Sequence, residues 1–129
     1  MERLTLSATQ LTPMVDFDYD NRSLKMRGES YPENAAEFYS PILASLRSYL
    51  ASAVQRRLAT VVELEFVYVN SSSTRSLQQI LTLLDTAARD GAVVHVHWIV
   101  AEDDDSMTDL GADLLADKHA LEYQIVNRR

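Results

Sequence analysis

Four hydroxyl side chains stand in a row at Ser71-Ser72-Ser73-Thr74, directly after Asn70. A hydroxyl is a weak nucleophile until a base activates it. Ser71 with His95 or His97 would be an in-chain version of such a pair. The sequence, however, has no Gly-x-Ser-x-Gly elbow and no glycine-rich phosphate loop, with only three glycines in all. The chain therefore reads better as a binding module than as an enzyme, and small hydroxyls between a strand and a helix commonly serve as helix caps.

Other reactive types lead less far. His95 and His97 are two apart on a strand and share a face, a spacing found in zinc sites, but His119 is the only other histidine. A packed or partly exposed strand face is the simpler reading, and no metal or cofactor is expected. The run Glu102-Asp103-Asp104-Asp105 could hold magnesium, yet carboxylates at a helix start complement its dipole and need no ion. The absence of cysteine removes thiolate catalysis, disulfides and cysteine zinc sites.

The hydroxyl run is positioned by a change of period. From Val61 to Val69 the pattern is that of a strand, with Leu64, Phe66 and Tyr68 on one face and Val67 and Val69 on the other. Apolarity on both faces predicts a central strand covered by helices on each side. After Asn70, Leu77, Ile80, Leu81, Leu84 and Ala88 follow helical spacing. Ser71 to Thr74 then fall on the turn between strand and helix, with Ser72 or Ser73 as its cap. Free backbone N–H groups and the positive end of the helix dipole favour an anion there.

The remaining elements support that unit. Leu4 and Leu6 suggest an edge strand, and Met14 to Phe17 and Leu24 to Arg27, separated by Asp18-Tyr19-Asp20-Asn21-Arg22, predict an antiparallel hairpin. Ser30 and Glu33 have capping-box spacing with Pro32 in the first turn, so a helix is expected to start there. Ala35, Phe38, Ile42, Leu46 and Leu50 carry it to about residue 53, with Pro41 expected to bend or split it. Gly91 closes the second helix, Val93 to Val100 is a second long strand, and Met107, Leu110, Gly111, Leu114 and Leu115 mark a third helix. Leu121 to Val126 supplies a last strand, and Asn127-Arg128-Arg129 a polar tail. The sum is an α/β fold over residues 1–129: one domain with a mixed sheet, an N-terminal antiparallel hairpin and three main helices.

Composition sets outer bounds. With 129 residues, 47% of them hydrophobic, the chain can close one core unaided. A net charge of −7 disfavours nucleic acid. The start MERLTLSATQ lacks the basic and apolar regions of a signal peptide, and no apolar run approaches the ~18 residues of a membrane span. A cytoplasmic protein is expected.

Gly28-Glu29-Ser30-Tyr31-Pro32-Glu33-Asn34-Ala35, Tyr68-Val69-Asn70-Ser71-Ser72-Ser73 and Trp98 ahead of the acidic run resemble the SiaC family of bacterial regulatory phosphoproteins, in matching order over nearly the whole chain. The resemblance implies a STAS-like fold, related to anti-sigma-factor antagonists, and partner switching rather than catalysis. It implies phosphorylation of the hydroxyl after the asparagine, here Ser71 where threonine is familiar, by a serine/threonine kinase of histidine-kinase-like fold. A PP2C-type phosphatase would reverse it. The unmodified form would bind and activate a diguanylate cyclase, linking the switch to cyclic di-GMP and biofilm formation.

Ser72, Ser73 and Thr74 are alternative acceptors. Tyr31, Glu33 and Asn34 have two readings, helix capping or a recognition edge beside Ser71, with Glu33 the more structural of the three. Asn70 and Ser72 flank the acceptor and complete the candidate partner contacts. An anti-sigma-factor antagonist acting on a sigma-factor regulator, and an unmodified scaffold subunit, are the alternative functions.

Overall fold

In the computed structural model, which describes residues 1–128, every helix lies on one face of a single six-stranded sheet. The strands are β1 (Leu4–Leu6), β2 (Met14–Asp18), β3 (Ser23–Ser30), β4 (Ala59–Val69), β5 (Val93–Ala101) and β6 (Glu122–Arg128). The helices are α1 (Ala35–Arg56), α2 (Ser71–Arg89) and α3 (Asp105–Leu115). The sheet order is β1-β2-β3-β4-β5-β6, antiparallel from β1 to β3 and parallel from β3 to β6.

That order decides where the helices go. Each of α1, α2 and α3 joins a strand to its next parallel neighbour, always in the same direction, and right-handed crossovers of one direction deposit their helices on one face. The expected covering of both faces is therefore not found. Val62, Leu64 and Phe66 of β4 are buried beneath the helices, as are Val94, Val96, Trp98 and Val100 of β5, whereas Val61 and Val67 are exposed. Val61 and Val67 give β4 its two-sided apolarity, yet they stand on the open side, which Glu63 and Glu65 mark as uncovered.

A second departure lies at the end of β4. The β3–β4 register shifts between Gly28 and Glu29, so that Gly28 faces Phe66 while Glu29 faces Tyr68. The extra residue on β4 turns Tyr68 out: it is 51% exposed, not on the face of Leu64 and Phe66. Gly28 has a φ of 128°, a conformation that side chains with a Cβ rarely adopt.

The uncovered face is polar across its middle. Arg3 binds both oxygens of Asp16 at 2.8 Å, Asp16 pairs across the ladder with Lys25, Lys25 with Glu63, and Glu63 with His97. Glu65 meets Arg27 and Arg128, and His95 approaches Glu122 at 3.3 Å. Opposite charges at Asp16, Lys25 and Glu63, with polar imidazoles beside the outer carboxylates, keep this side wetted without a covering layer.

α1 begins at Ala35 with Asn34 as its N-cap, accepting from the Glu37 N–H at 3.0 Å. The Ser30/Glu33 capping box is not formed: Ser30 ends β3, Pro32 precedes the helix, and the reciprocal pair is Asn34 with Glu37. Pro41 lies inside α1, which runs on as one helix to Arg56, three residues beyond the expected end. Its buried face includes Tyr39 and Tyr49, while Phe38 is only partly buried. Gly91 follows α2 at a φ of 125°, as its position predicts. Asn127 and Arg128 belong to β6 rather than to a tail, and Arg129 lies outside the described residues.

Candidate phosphoacceptor site

The site lies where β4 hands the chain to α2. Asn70 is the N-cap: its side-chain oxygen accepts from the Ser73 N–H at 2.8 Å and its carbonyl from the Thr74 N–H at 2.9 Å. The expected cap at Ser72 or Ser73 is thus supplied by Asn70, and all four hydroxyl residues belong to the first turn of the helix, not to a loop before it. Among the described residues, no protein acceptor serves the N–H groups of Ser71 and Ser72.

The four hydroxyls have different surroundings. Ser71 and Ser72 are exposed. Thr74 is half-buried and donates its hydroxyl to the Asn70 carbonyl at 3.0 Å. Ser73 is fully buried and accepts from Ser30 at 2.8 Å, and Ser30 in turn meets the Tyr39 hydroxyl at 2.6 Å. This chain of three hydroxyls ties β3, α1 and α2 together beneath the exposed pair. Burial pushes the Tyr39 phenol up to about 12, against the smaller opposing pull of its Ser30 and Ser73 neighbours.

The sheet also brings the Tyr31 segment to this edge. The Asn70 N–H donates to the Ser30 carbonyl at 2.9 Å, so the ends of β3 and β4 are joined immediately before both helices. Tyr31 is half-buried, and its ring meets Tyr68 edge-on with centroids 5.6 Å apart. Glu33 and Asn34 are exposed, Asn34 as the cap of α1. Between α1 and α2 runs a groove of about 440 Å³, lined on one side by Asn34, Ser40 and Arg47 and on the other by Ser72, Arg75 and Gln79, with Glu33 at its mouth.

The sequence brings out Ser71, Tyr31 and Asn34 but misses Ser30 as the buried link, Tyr39 as its partner, and Arg47 and Arg75 as groove cations. Tyr39 could have been found from its position four residues after Ala35, which places it on the core face. No local signal marks Ser30, because its partners are distant in the chain.

His95 and His97 lie on the uncovered face, far from α2's core-facing side. Among the described residues, no group of three His, Cys, Asp or Glu side chains is placed to hold a metal ion. Asp104 of the acidic run caps α3 through the Met107 N–H at 3.1 Å. No helix is long and apolar enough to cross a membrane among the described residues.

Comparison with known proteins places the chain in a family and matches its fold. The family model of SiaC family regulatory phosphoproteins matches residues 6–128. The structure superposes on SiaC of Pseudomonas aeruginosa with a TM-score of 0.88 at 26% identity, covering 99% of this chain and 100% of that one. It matches equally, at a TM-score of 0.88 and 26% identity over 97% of this chain and 99% of that one, the SiaC seen in complex with the diguanylate cyclase SiaD, which SiaC activates. An uncharacterised protein of Pseudomonas aeruginosa strain UCBPP-PA14 is 35% identical over 98 residues, which are 76% of this chain and 75% of that protein. With the family pattern spanning all but the ends of the chain and the whole fold shared, this protein belongs to the SiaC family of regulatory phosphoproteins.

Proposed function

We propose that this chain is a partner-switching regulator controlled by phosphorylation of Ser71. A serine/threonine kinase of histidine-kinase-like fold adds the phosphoryl group and a PP2C-type phosphatase removes it. The unmodified form docks on a diguanylate cyclase and activates it, raising cyclic di-GMP and favouring biofilm growth. The protein acts in the cytoplasm by binding rather than by catalysis.

The observation that carries this reading is the exposure of the Ser71 hydroxyl at the first position of α2, beside a fully buried Ser73. A kinase can reach the first without unfolding the domain, whereas the second would have to leave the core. A phosphate on Ser71 brings about −1.5 to −2 charges to a helix N-terminus, where the fold tolerates them. At a docked surface the same charge, left without a cation, costs several kcal/mol, and each ~1.4 kcal/mol is tenfold in affinity.

Tyr31, Asn34, Asn70 and Ser72 flank the acceptor, and Tyr31 with Tyr68 offers an aromatic surface for the same partner. The test is phosphosite mapping by mass spectrometry after incubation with ATP and an extract supplying the kinase. Phosphate on Ser71, and none after Ser71→Ala, is the expected result. An unmodified segment from Ser71 to Thr74 would overturn the reading.

A further inference from the structure

The groove between α1 and α2 contains two cations that the switch as described does not use. Arg3, Arg27, Arg89 and Arg128 each have a carboxylate within 4.0 Å. Among the described residues, Arg47 and Arg75 have none, like Arg22, Arg56 and Arg57, although the chain carries seven more acidic than basic residues. They come from different helices and line the same groove, which Ser72 also lines.

Helical spacing places Arg75 one turn after Ser71 and three residues after Ser72, within side-chain reach of both. Arg75 thus follows the acceptor by one turn and lines the groove, with Arg47 across it on α1. The lining is otherwise mostly neutral and polar, with Ser40 and Gln79 able to donate hydrogen bonds. Among the described residues, Glu33 is the one carboxylate on the lining, near the start of α1, and it disfavours a free anion at that end.

We infer that Arg75, seconded by Arg47, receives the phosphoryl group of modified Ser71 in cis, drawing it toward the α1–α2 groove. This deepens the proposed function, since it rests on Ser71 being the modified residue. The switch then has two states of its own surface. In the unmodified protein the two guanidinium groups are free to meet a partner, and in the modified protein they are engaged internally. Phosphorylation would both add charge to the rim and withdraw two cations from docking.

The inference can be tested without a kinase by introducing phosphoserine at position 71 with a suppressor tRNA. Phosphorus NMR then follows the second ionisation of that phosphate in the otherwise wild-type chain, in Arg75→Gln and in Arg47→Gln. A guanidinium at the phosphate favours the dianion. The expected ionisation lies lower in the wild-type chain than in Arg75→Gln, by about 0.5, with a smaller change for Arg47→Gln. Because both arginines are on the surface, circular dichroism should show all three proteins folded. An ionisation unchanged by Arg75→Gln would overturn the inference. Titrating the same phosphorylated protein against the diguanylate cyclase tests the parent reading separately. Unchanged cyclase affinity would reject partner switching at Ser71 whatever the phosphorus spectrum shows.

Discussion

Ser71 and Ser73 are two residues apart in one helical turn and have opposite environments, one at the surface and one fully buried. Substitutions there should separate function from stability. Ser71→Ala should change stability by no more than about 0.5 kcal/mol, because an exposed hydroxyl without a partner contributes little. Ser73→Ala removes the acceptor of the Ser30 hydroxyl and should cost about 1–2 kcal/mol, read as a lower urea midpoint with an unchanged slope. Asn70→Ala should cost about 1 kcal/mol through loss of the α2 cap. The sequence shows the hydroxyl run plainly, but not which of its members is inside. That depends on Ser30 and Tyr39, which approach only when β3 and α1 are in place.

At the scale of elements, the burial of Tyr39 at the end of the Tyr39–Ser30–Ser73 chain gives α1 a pH dependence. The Tyr39 phenol is raised to about 12 from an ordinary value near 10, so the folded state favours its neutral form. Its contribution is whole below about pH 10 and is lost as pH rises toward 12. Tyr39→Phe should cost about 1 kcal/mol near neutrality, and the gap between wild type and variant should narrow above about pH 10 in urea titrations. α3 offers a steric counterpart. A Cβ on Gly111 would overlap the Trp98 indole, whose Nε1 donates to the Met107 carbonyl at 2.8 Å. Gly111→Ala should therefore destabilise by about 1–3 kcal/mol despite alanine's better helix propensity, as thermal unfolding would show. Periodicity in the sequence places these helices well. It cannot see that Gly111 is small because of Trp98, or that the α1 cap moves from Ser30 to Asn34 because β3 continues through Gly28 to Ser30.

For the whole molecule, the order of strands matters more than their composition. Three crossovers in one direction leave one sheet face without helices, and the cross-strand pairs from Arg3 to His97 make that face tolerable in water. Element order was legible in the sequence, and with it the mixed sheet. The one-sided covering was not, because β4 carries apolar residues at Val61 and Val67 on its open face as well as in the core. The same topology brings the ends of β3 and β4, and so the starts of α1 and α2, to one edge of the molecule. Ser71, the Tyr31–Tyr68 pair and the groove lined by Arg47 and Arg75 thus lie at the same edge, where β3 and β4 end and α1 and α2 begin. Under the proposed switch, negative charge at this edge leaves the domain folded and releases its partner. The most direct test of the switch is a calorimetric titration of purified diguanylate cyclase with unmodified protein and with protein bearing phosphoserine at position 71, alongside their melting temperatures. Near-equal melting temperatures and an affinity at least about 100-fold weaker for the phosphorylated form are expected. Equal affinities, or a phosphorylated domain that no longer folds, would contradict the switch.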